Sequence, residues 1–258
     1  QTGISYTIIS FNELCGMLGR DNKPMVIDVR PDSGFRHISR DAKENAMGTI
    51  KGSVSIPLEV FSSGNADIPK GRDIILVDVN GDASAKAAIL LTQNGYKNVS
   101  VLIEGIDRLL NTDKKNAVCR DVFYNSPIAY KTITAGEYGE YSKANSNYIL
   151  LDVRTADEFA NKHKDNWRNI GHLKNAVNIP VADISTRYTE LDKNKDILIY
   201  AFGSGKETFE AANALQKLGF TKLTVIYGGI FNMRWTAGNV KGQSYLKDFV
   251  VDIPEINR

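Results

Sequence analysis

Side chains able to do chemistry are few in this chain of 258 residues, and they are scattered. The cysteines are Cys15 and Cys119, and the histidines are His37, His163 and His172. A thiolate is the natural nucleophile among them, but Cys15 falls in a helix-like stretch, Phe11 to Leu18, where a buried and inert thiol is the usual state. Cys119 has Arg120 beside it, a cation that would lower its pKa, yet no loop of backbone amides surrounds it to hold a substrate. Structural or incidental roles are expected of both. Neither cysteine has a partner at CxxC spacing and the histidines make no HExxH pair, so no metal site and no cofactor is expected.

Two turns carry the remaining polar chemistry. In Tyr200-Ala201-Phe202-Gly203-Ser204-Gly205-Lys206-Glu207-Thr208, the small residues Gly203, Ser204 and Gly205 and the cation of Lys206 precede a helical pattern. Free amides at a helix start attract phosphate, sulfate or carboxylate. Glu207 opposes this, and the plainer alternative is a glycine-rich turn that leads a strand into a helix. A nucleotide P-loop is excluded, since it needs glycine where Tyr200 stands and Ser or Thr after the lysine. The other turn, Val77 to Ser84, holds Asp78 and Asp82. A cation site of EF-hand type would need its turn glycine where Ala83 stands.

The elements around these turns repeat. Val26-Ile27-Asp28-Val29-Arg30 recurs as Leu150-Leu151-Asp152-Val153-Arg154, Gly95-Tyr96 as Gly219-Phe220, and Gly105-Ile106 as Gly229-Ile230, each at an offset of 124 (28 to 152, 95 to 219, 105 to 229). Ser55-Ile56-Pro57 returns as Asn178-Ile179-Pro180. Landmarks in constant order at so long a period indicate two duplicated domains, which suits the length, since domains run to roughly 100 to 150 residues. Apolar, β-branched runs at Met25 to Val29, Ile74 to Val77 and Val99 to Leu102, then Tyr148 to Val153, Ile197 to Ala201 and Leu223 to Tyr227, predict strands buried on both faces. Ala83 to Asn94 and Glu207 to Leu218 have helical spacing and stop at Gly95 and Gly219. Such alternation predicts an α/β fold, each domain a mainly parallel sheet flanked by helices on both faces. Charge, Cys119, Tyr124 and Pro127 interrupt the pattern, so the expected organisation is a first domain over 1–110, a linker over 111–133 and a second domain over 134–258.

Composition narrows the partners. Hydrophobic residues make up 42% and charged residues 24%, which excludes wholesale disorder. Lys and Arg number 32 against 30 Asp and Glu, and a net charge of +2 gives no field that argues for nucleic acid or an anionic membrane. No apolar run approaches the ~18 to 20 residues of a membrane span.

The second half resembles the rhodanese homology domain: a strand ending Asp152-Val153-Arg154, then Gly171-His172-Leu173, Ala176-Val177-Asn178-Ile179-Pro180, and Gly228-Gly229-Ile230 followed by Trp235. The first half carries a thinner version, with Asp28-Val29-Arg30, Gly48-Thr49-Ile50, Ile56-Pro57 and Glu104-Gly105-Ile106. The resemblance implies a tandem pair of domains and sulfur transfer through a loop of the form Cys-x-x-Gly-x-Arg-Ser, whose thiolate accepts sulfane sulfur inside a cradle of amides. Neither half meets that requirement. In the first, Asp78 takes the cysteine position and Ala83 the arginine position. In the second, the cysteine position falls on Ala201 counted from the strand or on Phe202 counted back from the helix, and Glu207 stands where arginine is expected. His172 matches a structural signature and is expected to pack beneath the loop.

Two functions follow as expectations. One is a non-catalytic rhodanese-like module that binds a protein partner or a small anion, with Gly203, Ser204, Gly205 and Lys206 as the anion-binding candidates. The alternative is a rhodanese-type sulfurtransferase that works through Cys119 or another nucleophile. The opening residue Gln1 and the missing loop thiols lean toward an exported, periplasmic bacterial protein.

Overall fold

The computed structural model describes residues 5–64 and 66–255, so Gln1 lies outside the described residues. The chain divides between Pro127 and Ile128 into two compact units. The first has strands β1 (Thr7–Ile9), β2 (Met25–Asp28), β3 (Thr49–Ile50), β4 (Val54–Ser55), β5 (Ile74–Val77), β6 (Val99–Leu102) and β7 (Tyr124–Asn125). Five of them form a wholly parallel sheet in the order β1-β6-β5-β2-β4. The second unit has β8 (Lys131–Ile133), β9 (Tyr148–Asp152), β10 (His172–Leu173), β11 (Val177–Asn178), β12 (Asp196–Tyr200), β13 (Leu223–Ile226) and β14 (Val250–Val251). Its parallel sheet runs β8-β13-β12-β9-β11, the same permutation. Helices flank both sheets, and the duplication seen in the sequence is a duplication of topology.

The strands form where apolar runs can be covered on two faces. All four residues of β5 are buried, as are Ile197 to Tyr200 of β12. Helix Asp82–Gln93 lays Ala87, Ala88 and Leu91 on the core with Ile27, Leu76 and Val101. It ends where the amide of Tyr96 bonds back to Leu91 O, and helix Glu207–Lys217 ends in the same way with Phe220 on Leu215 O. Capping boxes start two other helices, Ser10 with Glu13 before Phe11–Leu18 and Thr134 with Glu137 before Ala135–Ala144.

The segment 111–133 is ordered structure shared between the two units. Its first part folds onto the first unit: Asn12 Nδ2 donates to Asn116 O at 3.0 Å, and β7 pairs antiparallel with β3. In the second unit a 3₁₀ segment, Ser244–Phe249, leads into β14, which pairs with β10 in the same antiparallel fashion. The repeat therefore extends through a closing strand too short to register as a hydrophobic run. At the far end of the segment, β8 is the edge strand of the second sheet. Cys15 and Cys119 are joined by a disulfide with their Cα atoms 6.1 Å apart, which ties helix Phe11–Leu18 to this closing segment.

Candidate functional site

In each parallel sheet the loop after the central strand, β5 or β12, enters a helix at the carboxyl end of the sheet, where ligands of open α/β folds collect. Helix starts packed against those loops fix them. The amides of Ile106 and Asp107 donate to Asp78 O (3.0 Å) and Val79 O (2.9 Å), and those of Ile230 and Phe231 donate to Ala201 O (3.0 Å) and Phe202 O (2.9 Å). By these equivalent bonds Ala201 stands where Asp78 stands, and Phe202 where Val79 stands. The contact is close enough to demand glycine: a Cβ on Gly105 would strike Asp78 O and one on Gly229 would strike Ala201 O, and both residues have positive φ, +57° and +55°.

The first loop is filled by its own side chain. Asp78 is 3% exposed, and its carboxylate accepts the amides of Gly81 (2.7 Å) and Ala83 (2.8 Å) and the hydroxyl of Ser84 (2.9 Å). Asp82 is turned aside, with its amide and carboxylate both bonded to the Asn80 side chain. A carboxylate thus satisfies the donors that an incoming anion would use. Nearby, Lys43 Nζ donates to Asp107 Oδ1 at 2.8 Å.

The second loop is open. The backbone N–H groups of Gly203, Ser204 and Gly205 meet no protein acceptor among the described residues. Beside them is a cavity of about 450 Å³, lined in part by Arg154, Thr155, Pro180, Phe202, Gly203 and Glu207. Lys206 pairs with Glu210 one turn along the helix (3.0 Å), and the Glu207 carboxylate folds back against Gly205. Of the four anion-binding candidates, Gly203 and Gly205 line this space with Ser204 between them in the chain, whereas the Lys206 ammonium has an acidic partner on its own helix.

Two arginines line the same cavity. Arg154 is 3% exposed and chelates Asp152 through Nε and Nη2, while Nη2 also donates to Gly171 O at 2.9 Å. Its first-unit counterpart, Arg30, spends Nη1 on Met47 O at 3.0 Å, but Arg154 Nη1 is buried with no hydrogen-bond partner. Arg168 Nη1 donates to Glu158 Oε1 at 2.6 Å. Burial pushes the Glu158 carboxyl up, but hydrogen bonds from Arg168 and Thr155 outweigh that and hold its pKa below the ordinary value.

Aromatic rings stand around Phe202. The Trp167 ring meets it edge-on at 5.2 Å, and Phe231 stacks on it at 5.9 Å. Trp167 and Phe231 are themselves 57% and 54% exposed. Sequence reasoning passed over Trp167, Arg168 and Phe231. For Phe231 the signal is positional: the bond equivalences that match Phe231 to Asp107 show a charged position turned aromatic.

The remaining candidates lie elsewhere. His172 is in β10, stacked on Phe159 at 4.3 Å with Nε2 3.6 Å from Asp252 Oδ2, and it does not line the cavity. Cys15 and Cys119 are consumed by their disulfide, so Cys119 offers no thiolate in this state. Among the described residues no group of three His, Cys, Asp or Glu is placed to hold a metal, and no helix is long and apolar enough to cross a membrane.

The family described as rhodanese-like domain matches this sequence twice, over residues 10–112 and 135–234. The uncharacterized protein YibN of Escherichia coli K12 is 29% identical over 126 residues, 48% of this chain and 80% of that protein. Rhodanese-like domain-containing protein 15, chloroplastic, of Arabidopsis thaliana is 24% identical over 205 residues, 74% of this chain and 90% of that protein. Among solved structures, a rhodanese homologue from Thermus thermophilus aligns with 38% of this chain and 95% of its own at 26% identity and a TM-score of 0.30. A thiosulfate sulfurtransferase from Pseudomonas aeruginosa aligns with 90% of this chain and 42% of its own at 16% identity and a TM-score of 0.34.

Proposed function

The chain belongs to the rhodanese-like domain family, with one family domain in each unit, and from that premise we propose that it is a non-catalytic binding module whose second unit keeps an anion cradle. The observation that carries the proposal is the fate of the two nucleophile positions. Asp78 fills the first cradle with its own carboxylate, and Ala201 leaves the second without a nucleophile. Sulfur transfer needs a thiolate that becomes a persulfide while amides and a cation hold the donor. In the first unit the loop amides are taken by Asp78, in the second they stay open beside a position that holds no thiol, and in both the strand-end arginine, Arg30 or Arg154, is paired with the aspartate two residues before it. The remaining thiol chemistry is locked in the Cys15–Cys119 disulfide, which also supports residence in an oxidising compartment.

Sulfur transfer from thiosulfate to cyanide tests the reading directly. The expected result is background activity for the oxidised protein, for the dithiothreitol-reduced protein and for Cys119→Ser, beside an active single-domain rhodanese. Activity that appears on reduction and vanishes in Cys119→Ser overturns the proposal in favour of a sulfurtransferase.

A further inference from the structure

We infer that the Cys15–Cys119 disulfide is a redox clasp: exchange with a dithiol opens it and releases the closing segment, residues 112–125, while the parallel sheet of the first unit stays folded. The inference is independent of the two loops and comes from what stands at the same place in the second unit. Capping boxes set helix Phe11–Leu18 against helix Ala135–Ala144, Ser10 with Thr134 and Glu13 with Glu137, so Cys15 matches Gly139. The closing strands match through their ladders. The amide of Lys51 donates to Phe123 O as that of Lys174 does to Phe249 O, and Ile50 faces Tyr124 as Leu173 faces Val250. Counted back along both chains, Cys119 matches Tyr245 and Arg120 matches Leu246.

The two copies hold the same joint by different means. In the second unit it is packing: a Cβ on Gly139 would strike Tyr245 and Leu246, Leu246 is fully buried in the core, and the Phe249 ring meets Tyr138 at 5.4 Å. Such contacts do not depend on redox state. In the first unit a covalent bond takes the place of Tyr245 on Gly139, and Arg120, 5% exposed, takes the place of the buried leucine. A guanidinium regains its hydration on leaving the protein, which a leucine does not, so apolar burial holds this segment less firmly than its counterpart. Within 112–125 the buried apolar residues are Ala117 and Tyr124, whereas Val118 and Val122 are 79% and 59% exposed.

Release is local because the segment stands outside the main sheet. β7 pairs with β3 in a separate two-stranded ladder, and the core cluster of Ile27, Leu76, Ala87 and Val101 contains no residue of the segment. The bond is also within reach of a reagent. Both cysteines are half-buried, a Cβ on Gly16 beside Cys15 would meet nothing within 4 Å, and Val118 beside Cys119 is exposed. A thiolate of the dithiol attacks one sulfur, and its second thiol resolves the mixed disulfide. Two electrons and two protons pass to Cys15 and Cys119, and the dithiol leaves as its own disulfide. Opening takes from β3 the strand that pairs its N–H and C=O groups, so the two redox states present different surfaces.

Hydrogen exchange of the full chain read by mass spectrometry, with and without dithiothreitol and with alkylation to count free thiols, tests this. Reduction without denaturant is expected to free both thiols and to speed exchange about tenfold or more in peptides from 112–125 and 47–51. Peptides from β2, β5 and β6, and the equivalent segment 244–251 of the second unit, are expected to exchange as before. The double variant Cys15→Ser and Cys119→Ser is expected to match the reduced protein without reductant. A bond that resists dithiothreitol in the native protein, unchanged exchange in 112–125, or exchange that rises equally across β2, β5 and β6 overturns the inference.

Discussion

The carboxylate of Asp78 accepts the amide of Ala83 at 2.8 Å, so the first unit holds inside its own chain the anion that a rhodanese-type loop is built to receive from outside. That bond and its companions from Gly81 and Ser84 leave each donor satisfied. Removal of the acceptor in Asp78→Ala strands three buried or half-buried donors, at about 1–3 kcal/mol for each that water does not reach. A loss of about 2–4 kcal/mol is therefore expected in urea unfolding of the first unit, with Asp78→Asn in between. A loss below about 0.5 kcal/mol would show that these bonds contribute little.

The disulfide gives a second expectation. Cys15 and Cys119 are separated by 104 residues, and the bond restricts the unfolded chain of the first unit. A cross-link over so long a loop is typically worth about 2–4 kcal/mol. Reduction, or the double variant Cys15→Ser and Cys119→Ser, is expected to lower the melting transition of the first unit by roughly 5–15 °C and to leave the second in place. Calorimetry with and without reductant resolves this, and an unshifted transition means that the two sulfurs are not bonded in solution.

The register of the second loop can be tested with an introduced thiol. Because Ile230 N donates to Ala201 O as Ile106 N does to Asp78 O, Ala201→Cys places sulfur at the base of the open amides. Its pKa is expected to fall below the ordinary ~8.5 through the helix terminus and the unbonded N–H groups. Phe202→Cys puts the thiol on the ring wall, where no such depression is expected. The pH dependence of iodoacetamide alkylation compares the two, and the reverse ranking would shift the loop register by one residue.

Glu158 makes stability depend on acid. Its folded-state pKa lies below the ordinary 4.5 because Arg168 and Thr155 hold the charged form despite burial. A depressed carboxyl contributes stability above its unfolded pKa, and that contribution is lost as pH falls through the folded value. The melting temperature of the second unit should drop more steeply below about pH 4.5 than that of Glu158→Gln, which has no proton to gain there. Parallel pH profiles for the two proteins count against the bond network at Glu158.

Much of the fold was legible because its signals are local. Strands covered on both faces must be continuously apolar, so β2, β5, β6, β9, β12 and β13 stand out as runs, and the helices after β5 and β12 show their spacing and their glycine stops. The edge strands β1 and β8 and the closing strands β7 and β14 have two or three residues each and owe their existence to a partner, so they leave no periodic trace. The chemistry divides in the same way. Residue types alone fixed that Asp78, Ala201 and Phe202 are not thiols and that no cysteine occupies either loop. Only the tertiary structure decided that the Asp78 carboxylate turns inward onto its own loop amides and that Trp167, Phe202 and Phe231, 64 residues apart from first to last (167 to 231), pack ring against ring. The direction of the Asp78 side chain depends on the backbone path of its loop, and the ring contacts depend on distances between chain segments that a sheet of permuted strand order brings together; residue types carry no record of either.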